Sequence, residues 1–238
     1  MTTAREAAGT VLPRGLYLLT DASLCGERGL DESVLAALAG GARIVQYRDK
    51  DDDAARRLAE ARRLRALCRE AGAIFIVNDD PRLAADCEAD GVHVGRHDAD
   101  PGALRRRYGA GLLIGVSCYD SLELARSAQT AGADYVAFGS AYPSPTKPAA
   151  VRAPLALYRS ATAALDVPVV AIGGITAANL APLAAAGCHA VAVVSAVLGA
   201  PEVGGAAAAL SAAVDAAATS APGRRHAAAG TPPSAEGA

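Results

Sequence analysis

Eight short apolar runs recur along the chain, at 15–21, 42–48, 73–78, 91–95, 112–117, 135–138, 167–172 and 190–194, each ending in or followed by glycine or a polar residue. Runs this short and this continuously apolar fit strands of a parallel sheet buried on both faces. The spacers between them are long enough for helices, so the pattern predicts an α/β chain with eight β-then-α units, the arithmetic of a single-domain (β/α)8 TIM barrel. The 238 residues, 52% of them hydrophobic, suffice for one such core. The barrel is expected over 14–218, after an N-terminal extension at 1–13. An Ala-, Gly-, Pro- and Ser-rich segment at 219–238 reads as a disordered tail.

Composition narrows the function classes. A formal net charge of −2 and 4% aromatic residues supply neither the basic footprint nor the stacking surface of a nucleic-acid binder. Cys25, Cys68, Cys87, Cys118 and Cys188 are odd in number and contain no Cys-x-x-Cys pair, as expected for reduced thiols in a cytoplasmic protein. Cys118 reads as a small core residue. Residues 1–13 contain no apolar stretch of a secretory signal. The segment 167–201 lacks Asp, Glu, Lys and Arg, but proline, paired glycines, Asn179 and His189 interrupt it. It reads as two buried strands around an Ala-rich helix, not as a membrane span. A homo-oligomer is compatible with the chain.

The loop at 139–147, Gly-Ser-Ala-Tyr-Pro-Ser-Pro-Thr-Lys, follows the sixth run. Pro143 and Pro145 end any strand or helix there, and Ser144, Thr146 and Lys147 then offer two hydroxyls and an ammonium group suited to phosphate oxygens. Of 23 basic residues only Lys50 and Lys147 are lysine, as expected where a compact charge is wanted and a planar guanidinium would not fit. Lys50 follows the second run, in which Gln46, Arg48 and Lys50 alternate and should share the barrel mouth. A helix is expected at 51–71, its arginines forming a solvated face.

Carboxylates after the third and fourth runs fall into two kinds. Asp80 before Pro81 and Asp100 before Pro101 have the pattern of helix caps. Asp79 and Asp98 are left over, and together could hold a hard divalent cation such as Mg²⁺, which takes one or two carboxylates and completes its shell with water and phosphate. Further on, Asp120 with Glu123 reads as a capping pair and Thr176 as a helix cap. Gly174 follows the seventh run, and Val194 and Ser195 stand at the end of the eighth, places where barrels of this kind often bind phosphate.

In order, Gln-Tyr-Arg-Asp-Lys at 46–50, Asn78-Asp79, Gly-Val-His-Val-Gly at 91–95 with Asp98, Gly-Val-Ser at 115–117, Pro-Ser-Pro-Thr-Lys at 143–147 and Ala-Ile-Gly-Gly-Ile at 171–175 resemble the thiamine phosphate synthase (thiamine-phosphate pyrophosphorylase) family over 15–198. The resemblance implies a transferase that couples hydroxymethylpyrimidine diphosphate with hydroxyethylthiazole phosphate, giving thiamine phosphate and pyrophosphate. It implies substrate contacts from Gln46, Arg48, Lys50, Asn78, Ser117, Ser144, Thr146 and Lys147, with Lys147, Ser117 and Arg48 nearest the chemistry. Asp79 and Asp98 would hold Mg²⁺, and Gly174, Val194 and Ser195 the thiazole phosphate. The chain departs from the family pattern in having Ser144 for a common Thr, Tyr119 for a frequent His and Asp80 for a frequent Arg. No evident Ser-His-Asp or Cys-His set is present, in keeping with a reaction that needs no general base. Two rival readings are a thiazole tautomerase, which would need an acid or base at the cavity, and a catalytically silent barrel that binds a phosphorylated ligand.

Overall fold

In a computed structural model of the chain, which describes residues 10–96, 98–143 and 151–220, eight parallel strands close into a barrel in chain order. They are β1 (Gly15–Leu19), β2 (Ala42–Tyr47), β3 (Ile74–Asn78), β4 (Gly91–Val94), β5 (Leu113–Tyr119), β6 (Tyr135–Gly139), β7 (Val169–Ile172) and β8 (Ala190–Val193). The intervening and closing helices are α1 (Leu30–Ala39), α2 (Ala54–Glu70), α3 (Pro81–Asp86), α4 (Pro101–Tyr108), α5 (Leu122–Thr130), α6 (Leu155–Ala164), α7 (Ala181–Ala185), α8 (Ser195–Leu198) and α9 (Val203–Ser220). Every strand boundary lies within two residues of its expected place.

Period-two alternation sorts the strand residues into two cores. Tyr17, Ile44, Ile74, Ile76, Leu113, Tyr135, Val170, Ala190 and Ala192 fill the barrel interior, with Leu12 joining them. Their neighbours Leu16, Val45, Phe75, Val77, Ile114, Val136, Phe138 and Ala171 pack outward in the core shared with the helices. A large interior ring needs space beside it. Gly115 provides that space, since a Cβ there would fall 2.0 Å from Cζ of Tyr135.

The caps follow the sequence reading in part. Asp80 accepts from the N–H groups of Arg82 and Leu83 at the start of α3, and Asp100 accepts from Ala103 N at α4. At α5 the cap is Ser121, whose Oγ accepts from Leu124 N, so Asp120 does not hold that place. Thr176 does not cap a helix either. Its N–H donates to Oδ1 of Asn179 in a turn, and α7 starts later, at Ala181. The arginines of α2 are not simply a solvated face. Arg57 pairs with Asp80 at 3.1 Å, and Arg65 donates to Asp90 and to the carbonyl of Glu88. These side chains strap α2 to the segments flanking α3.

The ring closes where β1 pairs with β8 and α9 lies across α1. Val203, Ala207, Leu210 and Val214 of α9 are buried there. The helices approach so closely that a Cβ on Gly40 would fall 2.5 Å from the carbonyl oxygen of Gly204. All five cysteines are buried and free, and burial pushes the thiol of Cys118 up to about 12. Among the described residues no helix is long and apolar enough to cross a membrane.

Candidate active site

The C-terminal ends of the strands surround a cavity of about 460 Å³ whose wall includes Gln46, Arg48, Asn78, Ser117, Gly174, Val194 and Ser195. An adjoining hollow of about 430 Å³ shares Asn78 and is lined also by Asp49, Lys50, Asp79, Asp80, Arg57 and Arg82. The structure therefore brings together all the described residues expected to touch substrate, divided between two neighbouring regions that share Asn78 at the end of β3. Ser144, Thr146 and Lys147 lie outside the described residues.

Local structure fixes the polar rim. Thr20, just past β1, donates its N–H to the carbonyl of Gln46, while its Oγ1 accepts from Arg48 N at 2.9 Å. The backbone on either side of Tyr47 is thereby clipped to β1. The next turn is braced by Arg56, which meets Asp49 at 2.8 Å, Glu60 at 3.0 Å and Asp51 at 3.2 Å. Burial works against ionisation of Asp49, yet the Arg56 guanidinium and the N–H of Asp51 hold its carboxyl below the usual range. Lys50 is carried between these anchored acids.

Asp79 sits at φ 62°, a left-handed conformation that Asp tolerates better than most residues. This bend lets Asp80 turn into its capping role. The Asp79 carboxyl lies within hydrogen-bonding reach of Asp98 and is shifted upward, first by burial and then by that neighbouring acid; Asn78 and Lys50 oppose the shift. Two adjacent carboxyl groups need a proton or a cation between them. Oδ2 of Asp98 accepts from Gly95 N at 2.7 Å, which fixes the turn after β4. Tyr119 supports the same turn: its hydroxyl accepts from Arg96 N, and its ring lies under the Arg96 guanidinium at 4.9 Å. No cluster of three or more His, Cys, Asp or Glu suited to a metal occurs among the described residues. A two-carboxylate donor set matches a hard cation that completes its shell with water and phosphate oxygens.

On the far wall, Gly173 and Gly174 adopt φ of 103° and 63°. A Cβ on Gly174 would lie 2.3 Å from the carbonyl oxygen of Pro143, so only glycine lets the turn after β7 approach the segment after β6 this closely. Asn179 holds that turn by donating to the carbonyl of Gly174, and Tyr142 donates to the carbonyl of Asn179.

One part of the site was not anticipated. Tyr17, His93 and Tyr135 stand in apolar runs, His93 also in the Gly-Val-His-Val-Gly motif, with no role expected of them, yet they link two expected substrate residues through the barrel interior. Gln46 Nε2 donates to Tyr17 Oη at 2.7 Å, the Tyr17 and Tyr135 hydroxyls are 2.9 Å apart, Tyr135 Oη is 3.0 Å from His93 Nδ1, and His93 Nε2 is 2.9 Å from Ser117 Oγ. Burial drives the His93 imidazole down to about 4, with Asp98 opposing the shift, and raises both tyrosines well above their ordinary range. The histidine is thus neutral near pH 7. His93 lies against Ser117, but its Nδ1 faces Tyr135 and not an acid, so the pair is not part of a Ser-His-Asp set. The signal available beforehand was inward periodicity: Tyr17, Gln46, His93, Ser117 and Tyr135 all fall on the interior positions of their strands.

Residues 16–197 match the family model described as thiamine monophosphate synthase. A thiamine-phosphate synthase of Thiobacillus denitrificans is 59% identical over 198 residues, covering 83% of this chain and 93% of its own length. One from Acidithiobacillus ferrooxidans is 54% identical over 196 residues, covering 81% and 90%. Among solved structures, a thiamine phosphate pyrophosphorylase from Pyrococcus furiosus superposes with a TM-score of 0.79 at 36% identity, covering 86% of this chain and 96% of its own. With the model spanning most of the barrel and relatives at this identity along nearly their full length, the chain belongs to the thiamine monophosphate synthase family.

Proposed function

We propose that this chain joins hydroxymethylpyrimidine diphosphate to hydroxyethylthiazole phosphate, forming thiamine phosphate and releasing pyrophosphate. The observation that carries the reading, beside family membership, is the junction at Asn78 between a largely apolar cavity with a few polar side chains, roomy enough for a heterocycle, and a hollow holding Lys50 and Asp79. A ring in the first region would present its diphosphate to the second. Gln46 and Ser117 would contact the pyrimidine, while Arg48, Lys50 and Asn78 would face the diphosphate. Gly174, Val194 and Ser195, across the cavity, would take the thiazole phosphate. Ser144, Thr146 and Lys147 are assigned to phosphate contacts on their sequence alone.

Bond formation here requires little proton chemistry. The C–O bond between the pyrimidine methylene and the diphosphate breaks, its electron pair leaving with the diphosphate, and the thiazole nitrogen lone pair forms the new C–N bond. The chain's task is to align the two rings and stabilise the departing anion. Asp79 and Asp98 are the residues that would hold Mg²⁺, whose contribution when bound is to offset charge on the diphosphate oxygens. A thiazole tautomerase is less well supported, because both ring nitrogens of His93 are already engaged by Tyr135 and Ser117.

Pyrophosphate release should require both substrates and Mg²⁺ together, as read by a coupled phosphate assay. Turnover persisting without the pyrimidine diphosphate would point to another reaction. Asp79→Asn and Lys147→Ala should each lower kcat by about a hundredfold, with melting temperatures close to that of the parent chain. Near-parental rates in both variants would remove the diphosphate site from this account.

A further inference from the structure

The order of protons along the interior chain is set at one end. Gln46 turns its amide nitrogen toward Tyr17, so the Tyr17 oxygen accepts there and its single proton is directed at Tyr135. Tyr135, accepting from Tyr17, must in turn donate to Nδ1 of His93. With Nδ1 accepting, the ring proton of His93 is on Nε2, which donates to Ser117 Oγ. Among the described residues the Ser117 proton is left without a partner. At the opposite end Gln46 Oε1 is buried and has no hydrogen-bond partner among the described residues.

Gln46 and Ser117 both line the cavity, so beside it stand one unfilled acceptor, the buried Gln46 Oε1, and one hydroxyl proton, on Ser117, with no partner among the described residues. The reverse ordering is also internally complete. In it the amide is turned over, each hydroxyl proton points the other way, His93 carries hydrogen on Nδ1, and the cavity meets a donor at Gln46 and an acceptor at Ser117. A buried donor facing a donor, or acceptor facing acceptor, leaves both unsatisfied. The ordering is thus a specificity device for a ring that carries one donor beside one acceptor.

We infer that Tyr17, Tyr135 and His93 are positioning residues that lock the hydrogen-bond polarity of Gln46 and Ser117 to favour a 4-aminopyrimidine, whose amino group donates and whose adjacent ring nitrogen accepts, over a 4-oxopyrimidine with the opposite polarity. This rests on the pyrimidine-binding reading above. Tyr135→Phe keeps the ring that stacks against His93 at 5.5 Å but removes the hydroxyl, so the two halves of the chain reorient independently.

The test compares dissociation constants, by calorimetry without thiazole phosphate, for the diphosphates of the 4-amino and 4-oxo hydroxymethylpyrimidines. The unaltered protein should prefer the amino compound, and Tyr135→Phe should cut that preference by about tenfold, the size expected for one mismatched buried hydrogen bond. Tyr17→Phe should act in the same direction. A merely structural role would weaken both ligands alike, and a preference unchanged in both variants overturns the inference. In parallel, ¹⁵N NMR of the ligand-free protein, with His93 assigned by its loss in His93→Gln, should show protonation on Nε2 alone. Protonation on Nδ1 or on both nitrogens overturns the ordering whatever the ligands do. If neither pyrimidine binds the unaltered protein, the substrate reading itself fails, and the ring preference with it.

Discussion

His93 shows how one side chain couples burial to pH. Its imidazole is held neutral down to about 4 in the folded barrel, whereas an unfolded chain protonates histidine near 6.5. Between those values the unfolded state binds the extra proton, so stability rises with pH across the window and is lost as pH falls through it. Unfolding by urea at a series of pH values should show a loss approaching ~3 kcal/mol between about pH 6.5 and 4. His93→Gln should lack that part of the slope. A protonated His93 would also carry hydrogen on Nδ1, so the Tyr135 hydroxyl could no longer donate to it.

At the level of single elements, the short helix α3 depends on what happens at its first turn. Asp80 accepts from two backbone N–H groups and pairs with Arg57, which gives a physical reason for an acid at this position. Asp80→Ala should lower stability by about 1–2 kcal/mol, whereas Asp80→Asn should recover most of it, since asparagine caps equally well and only the ion pair is lost. Chemical denaturation distinguishes the two. Strands and most caps were legible because apolar runs and Asp-Pro pairs are local signals. The Ser121 cap and the turn at Thr176 were less legible, since several candidate oxygens stood within a few residues and only the strand exit direction chooses among them. β5 continues past Ser117 through a register irregularity between Ser117 and Tyr119, and no local pattern marks that. The partners of the α2 arginines depend on where α3 docks, which sequence periodicity does not state. The rim residues were legible as chemistry at strand ends, while the interior chain was not. Alternation shows that Tyr17 and Tyr135 face inward, but only barrel closure brings strands one and six within reach of each other.

Closure is a property of the whole molecule, and it concentrates strain-free but tight packing at one seam. Gly40 has an ordinary backbone, yet a methyl there would meet the Gly204 carbonyl at 2.5 Å and the Ala207 Cβ at 2.6 Å. Gly40→Ala should therefore push α9 away from α1 and lower stability by about 1–3 kcal/mol, while changing substrate affinities little because Gly40, Gly204 and Ala207 do not line the cavity. Differential scanning calorimetry together with titration of the pyrimidine diphosphate would separate these effects.

The missing side chain at position 115 has a counterpart in inheritance. Tyr135 occupies volume that any other residue at 115 would claim, so neither position is free to drift alone: enlarging 115 evicts the phenol, and shrinking 135 leaves an empty pocket against a bare backbone. The two sites act as a single unit of variation, and a lineage that lost the phenolic link would be expected to alter both.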